Sequence, residues 1–274
     1  MVLCKEQQNN AMRILFCVDT DQYLETLGSR LSKVLNLFSD EIYYLDVLHV
    51  YQKPKADAPH MPATILDIQK DEEIQRMQFL SDCQHKIANV LEKKLKKAAL
   101  VNSHLIQGKF FKQLKDHVKY HKYDLIVLLP GKKDALQLLL KGRNVMKIVS
   151  NINVPILILP KESAFEFRQT VFIGMLEKPK KQLKKFKKNR VLRQVKGESL
   201  KYLHICDDHS DYEEIEVLNH SNRVTAFKKF HEQRKSNYIY IMNHKAQKKS
   251  MRKWRKSSFT KTILAKSNAS VMVI

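Results

Sequence analysis

The stretch FFKQLKDHVKYHKYDLIVLLPG, Phe110–Gly131, sets the architecture. Its first part reads as a helix. Its second part, from Tyr123, reads as a strand closed by Pro130 and Gly131. That strand is apolar throughout rather than alternating, as a strand covered on both faces must be. Downstream, NVMKIVSNI (144–152) predicts a helix and VPILILP (154–160) a second uninterrupted apolar strand. Upstream, NSHLIQG (102–108) predicts a short strand. The segment from Asp71 to about Leu100 predicts a long helix whose DEE start suits the positive end of a helix dipole. Residues 52–70 hold Pro54, Pro59 and Pro62 without a clear period, which predicts a loop. Before it, EIYYLDVLHVYQ (41–52) predicts a strand. QYLETLGSRLSKVLNLF (22–38) sets Leu24, Leu27, Leu31, Val34, Leu35 and Phe38 on one helical face. MRILFCVD (12–19) predicts the first strand.

Strands that alternate with helices imply a parallel sheet covered on both faces, with right-handed crossovers. In such sheets ligands bind beyond the carboxyl ends of the strands, where the strand order reverses. Asp19 and Gly131 stand at the ends of their strands and therefore near that crevice.

The second half repeats the pattern in worn form. TVFIGML (170–176) predicts a strand, KKQLKKFKKNRVLRQV (180–195) a basic helix and SLKYLHICDD (199–208) a strand. AFKKFHEQRKSNYIYIMN (226–243) follows the helix–strand order of Phe110–Gly131, with Asn237 taking the place of Asp124 and Asn243 that of Gly131. SSFTKTILAKSNASVMVI (257–274) then follows GRNVMKIVSNINVPILIL (142–159). The segment DDHSDYEEIEVLNHSNR (207–223) is too short for a long helix plus a strand, so EEIEVLN is expected to return as an antiparallel hairpin. The chain is thus read as a tandem duplication with a trimmed second copy, residues 11–160 and 169–274.

At 274 residues the chain is long enough for two ordinary domains, and 43% hydrophobic residues can bury a real core. Cys4, Cys17, Cys83 and Cys206 show no metal-ligand spacing and are expected as reduced thiols. The first residues show no apolar signal core, and no run approaches the roughly 18 apolar residues of a membrane span. A cytoplasmic protein without a membrane span is expected. Net charge is +22, unevenly placed: residues 1–160 hold 23 basic and 17 acidic side chains, residues 161–274 hold 27 and 11. The excess sits in Glu177–Lys196 and His244–Ser258. Two readings stand, a solvated lysine-rich surface or a binder of nucleic acid or another polyanion. Phe186 and Trp254 are the large rings in those blocks.

Taken together, ILFCVDTD, DVLHVY, IQGKFFKQLKDHVKYHKYDLIVLLPG and GRNVMKIVSNINVPILIL resemble the universal stress protein family. The resemblance covers Ala11–Pro160 well and about Gln169–Ile274 weakly. It implies α/β domains of the adenine nucleotide alpha hydrolase-like type, two parallel-sheet sandwiches in tandem. It implies pairing through the last strand, here between VPILIL and SVMVI inside one chain as a pseudo-dimer, with homodimer formation also open. It implies a cytoplasmic role in stress tolerance.

The resemblance also supplies a candidate site. The family's ATP-binding branch carries G-x2-G-x9-G-[ST] after the fourth strand. Glycines let the backbone approach phosphates, and the following helix N-terminus holds the anion. Here Gly131 and Gly142 take the first and third glycine places. Asp134 stands for the second, Arg143 for the Ser/Thr, and the loop is two residues shorter. Asp134 would repel a triphosphate, which Arg143, Lys132, Lys133 or Lys141 could offset. Asp19, Val50 and Pro130 match the family's positions around the nucleoside. The candidate cofactor residues are therefore Asp19, Val50, Pro130, Gly131, Gly142 and Arg143. Two readings of the loop follow, a relic without tight ATP binding or a cradle with altered contacts. In the second copy Asn243, Ala246 and Ser257-Ser258 replace the loop's signature, and no nucleotide is expected there.

Enzyme signals are thin: neither G-x-x-x-x-G-K-[ST] nor G-x-S-x-G occurs. Asp207–His209 could touch a metal but reads as a polar turn, so no metal is assigned. His49, His117, His121 and His204 fall within strand or helix patterns and read as structural, while His85 and His104 have no partner in sequence. The expectation is a non-enzymatic stress-response protein that acts as a binding or scaffold module, with ATP as its one candidate cofactor. A nucleotide switch or weak ATPase, and polyanion binding by the basic half, are the alternatives.

Overall fold

The computed structural model describes residues 12–18, 24–38, 42–52, 63–95, 100–129, 148, 151–159, 169–174, 184, 188–193, 200–206, 215–219, 225–226, 229–230, 238–242 and 270–273. Among them are ten strands and four helices, the last of one turn. The strands are β1 (Met12–Val18), β2 (Ile42–Tyr51), β3 (Leu100–Gln107), β4 (Leu125–Leu128), β5 (Ile156–Ile158), β6 (Gln169–Gly174), β7 (Leu200–Cys206), β8 (Ile215–Asn219), β9 (Tyr238–Met242) and β10 (Ser270–Val273). The helices are α1 (Leu24–Leu37), α2 (Ala63–Leu95), α3 (Phe110–Tyr120) and α4 (Arg190–Arg193).

All ten strands join one sheet in the order β3-β2-β1-β4-β5-β10-β9-β6-β7-β8. Nine strand pairs make it, and all are parallel except β5–β10. The order of β6–β10 in their half follows that of β1–β5 in the other, with the third strand of each on an outer edge. In the middle, Ile156, Leu157 and Ile158 face Val273, Met272 and Val271 in antiparallel register. The sequence VPILIL therefore meets SVMV, with Leu157 and Met272 both buried.

The side chains sort the first half into two faces because strand residues alternate. Met12, Ile14, Phe16 and Val18 of β1, Leu45 and Val47 of β2 and Val101 of β3 form one apolar cluster. Leu27, Leu31, Val34 and Leu35 of α1 and Phe79, Leu80, Cys83, Ile87 and Leu91 of α2 join it. Each such fully buried side chain contributes about 1.5–3 kcal/mol by its removal from water. Polar groups tie α2 to the edge strand. Gln84 Nε2 donates to the Val101 carbonyl at 2.8 Å, and Ser103 Oγ donates to Gln84 Oε1 at 2.9 Å.

Two expectations are corrected. Residues 52–70 were expected as loop, yet α2 begins at Ala63, and Asp71–Glu73 lie two turns inside it rather than at its dipole end. The signal is Pro62, which a helix accepts just before or within its first turn because the missing N–H is unneeded there. The second correction concerns β8, which pairs parallel with β7, not as an antiparallel hairpin. With Tyr202 opposite Ile215 and Cys206 opposite Asn219, the return covers four residue rises and one strand spacing. That is about 14 Å, a distance that a connection as short as residues 207–214, at up to about 3.5 Å each, is long enough to cover without a crossover helix. The expected helices at 144–152 and 180–195 lie largely outside the described residues, although Ile148, Asn151, Lys184 and Arg190–Arg193 are helical.

Candidate functional site

At the carboxyl ends of the strands, Val50 is the one candidate within the described residues. Asp19, Pro130, Gly131, Gly142 and Arg143 lie outside them, as does the Asp207–His209 turn. Val50 is half-buried on β2 beside Ile106 of β3, on the face that also carries Asp46 and Leu48. The edge next to it is firmly built. Tyr51 is buried, and the Arg76 guanidinium lies 5.2 Å from its ring centroid. Gly108, which ends β3, donates its N–H to the Tyr51 carbonyl at 2.8 Å. Gly108 holds φ 140°, and a Cβ there would stand 2.5 Å from Gln113 Nε2, so glycine is required by both backbone and space. His49 is buried, and its Nδ1 is 3.0 Å from the Val18 carbonyl, which it reaches as donor. It serves the strand ends as a structural group, as its pattern implied.

A second constellation sits on the α3 face, toward the amino ends of the strands. Asp46, in the middle of apolar β2, has a side chain fully removed from solvent. A buried charge is tolerated only when paired and hydrogen-bonded, and Asp46 is both. Arg13 Nη2 donates to Oδ2 at 2.7 Å, Tyr123 Oη donates to Oδ2 at 2.6 Å and Asn102 Nδ2 donates to Oδ1 at 2.9 Å. His104 Nε2 stands 3.8 Å from Oδ2 and has no hydrogen-bond partner among the described residues. Burial alone would raise the Asp46 pKa; neighbouring His104 and the bonds from Tyr123, Asn102 and Arg13 outweigh it and hold the carboxyl well below the usual carboxylate range. The partner Tyr123 is pushed up by burial and by its bond to Asp46, so it keeps its proton. The Arg13 guanidinium also lies 5.0 Å from the Tyr123 ring centroid.

Over this network three imidazoles meet. His104 comes from β3, His117 from α3, and His121 caps the carboxyl end of α3. Ring centroids are 4.6 Å apart for His104–His117, 5.7 Å for His104–His121 and 4.5 Å for His117–His121. His117 Nε2 is 2.9 Å from Tyr123 Oη. Because Tyr123 donates to Asp46, its oxygen accepts, and the His117 proton sits on Nε2. Burial first, then His104 and His121, lower the His117 pKa to about 4. Next to Tyr123, Asp124 Oδ2 accepts the Arg13 backbone N–H at 3.0 Å, and its Oδ1 pairs with Arg190 of α4 at 3.2 Å. Cys17, on the same face of β1, is buried and held as a thiol, because burial pushes its pKa up.

Sequence reading missed the assembly of this network, and left His104 without a partner. The signal was present: Asp46 inside IYYLDVLHVY and Arg13 inside MRILFCV are charges in strands that bury both faces. No group of three or more His, Cys, Asp or Glu side chains is arranged to hold a metal ion among the described residues. Nor is any described helix long and apolar enough to cross a membrane.

No family model matches the sequence, and no curated protein matches it. Solved structures do. A universal stress protein from Archaeoglobus fulgidus is 15% identical with TM-score 0.60, covering 94% of this chain and 95% of its own. A protein assigned to the universal stress type from Pseudomonas aeruginosa is 8% identical with TM-score 0.57, covering 97% and 94%. The shared feature is the fold: parallel α/β sheets with helices, over most of the chain.

Proposed function

We propose that this chain is a tandem protein of the universal stress type. Its two α/β domains, residues 11–160 and 169–274, are joined edge to edge as an intrachain pseudo-dimer. It acts without catalysis, as a stress-response binding or scaffold module, and the first domain carries at most a weakened adenine-nucleotide site. The observation that carries this reading is the sheet itself, two halves with one strand order that meet through antiparallel β5 and β10. The weakening is argued from chemistry. Asp134 and Arg143 stand where the resemblance expects glycine and a hydroxyl, so a triphosphate would meet a carboxylate and lose a donor.

A nucleotide switch is the second reading, favoured by Asp19, Val50 and Gly131, which match in sequence the positions the resemblance expects around a nucleotide. Calorimetric titration of the purified full chain with ATP and Mg²⁺, after a check for co-purified nucleotide, separates the two. No ligand and no heat up to millimolar ATP supports the scaffold reading. One site per chain with a dissociation constant of order micromolar, about −8 kcal/mol, makes the nucleotide switch the function. Asp134→Gly with Arg143→Ser should then tell how the loop works: tighter ATP binding marks a relic, weaker binding marks Arg143 as the phosphate ligand.

A further inference from the structure

The face beneath α3 already holds one balanced pair of charges, Arg13 from β1 and Asp46 from β2. Cys17 and Tyr123 keep their protons there. Asp124 is engaged at the flank with Arg190 and the Arg13 backbone. Any imidazolium is therefore surplus positive charge. One proton has a place, since on His104 Nε2 it faces Asp46 Oδ2 at 3.8 Å. A second does not. The Nε2 of His117 is committed to Tyr123, so a further proton must take Nδ1 of a ring 7% exposed, with His104 and His121 within 4.6 Å, centroid to centroid. Like charges at that range around a buried ring repel.

We propose that His104, His117 and His121 form an acid-sensitive latch that holds α3 on the sheet when neutral and releases it from β2 and β3 when a second proton enters. The released element has two connections. Through Tyr123 and Asp124 it leads into β4. Asp124 in turn holds Arg190, whose neighbours Val191 and Leu192 are buried in the common apolar cluster. Acid thus acts on α3 and, through Asp124, on its contact with α4.

The sign follows from His117. A histidine whose folded pKa is depressed withdraws stability as pH falls below its ordinary value near 6.5, until pH passes its folded value near 4. Native-state hydrogen exchange on the full chain, corrected for intrinsic rates, should show α3 amides losing protection by about 30-fold between pH 7.5 and pH 5, and at pH 5 they should be clearly less protected than α1 amides. Histidine NMR on the same sample should show one ring titrating far below 6.5. His104→Asn with His121→Asn should shrink the α3 loss at least threefold. Flat α3 protection over that range overturns the latch. Equal protection of α1 and α3 amides at pH 5 also overturns it, because α3 would then open only by global unfolding. The wild-type measurement stands even where the double variant fails to fold.

Discussion

The two faces of the β1–β3 sheet are built on opposite principles. The α1–α2 face is closed mainly by aliphatic and aromatic side chains, from Met12 to Leu91, with Arg30 of α1 and His49, edge-on to Phe79, also buried. The α3 face is centred on a buried carboxylate with three donors and a ring of histidines. An apolar face loses stability in proportion to the atoms removed, whereas a paired charge fails as a unit, because removing one partner strands the others.

That contrast can be broken by substitution. Asp46→Ala leaves Arg13 and Tyr123 facing each other without the carboxylate, and should cost about 3–5 kcal/mol in urea unfolding. Leu31→Ala on the other face should cost about 2–4 kcal/mol and leave α3 exchange unchanged. If Asp46→Ala proves the milder of the two, the polar network is decoration on an apolar core and the contrast collapses. Acid sharpens the comparison. Asp46 begins to lose its contribution only as pH falls through its ordinary value of 3.8, and has lost it below its lower folded value, so it is silent between pH 7 and 5. His117 is not, and stability should fall by about 2–3 kcal/mol between pH 6.5 and 4. His117→Gln, followed by thermal melts over that range, should flatten the slope. At the smaller end, Gly108→Ala, beside Tyr51 at the strand ends, should cost about 1 kcal/mol with no change in pH profile. Charge is tested apart from stability: polyanion binding by residues 161–274 should weaken steeply and linearly in log affinity against log salt, and salt-insensitive binding would exclude it.

The alternation of strands and helices was legible wherever a segment buried one kind of surface. Leu27, Leu31 and Val34 recur at helical spacing because one side of α1 meets the sheet, and Ile156–Ile158 is apolar because both sides are covered. The ends were less legible. Pro62 was taken with its neighbours as loop chemistry, although one proline at a helix start carries the opposite meaning. The β8 direction was misread because the rule that parallel strands need long crossovers describes long strands, and β8 has five residues. Of the candidate site, Val50 stands at the strand end where it was expected, while the loop residues lie outside the described part of the chain.

By itself the sequence determined the class of fold and the excess of positive charge in residues 161–274. These depend on periodicity and composition, which are local properties of a chain. Which strands touch, that β5 meets β10 antiparallel, and that Arg13, Asp46, Asn102, His104, His117 and Tyr123 share one site were decided by tertiary structure. Arg13 and Tyr123 are far apart along the chain and carry no mark of each other. A buried carboxylate must find its donors wherever packing brings them, and only the closed sheet with α3 upon it brings them to Asp46.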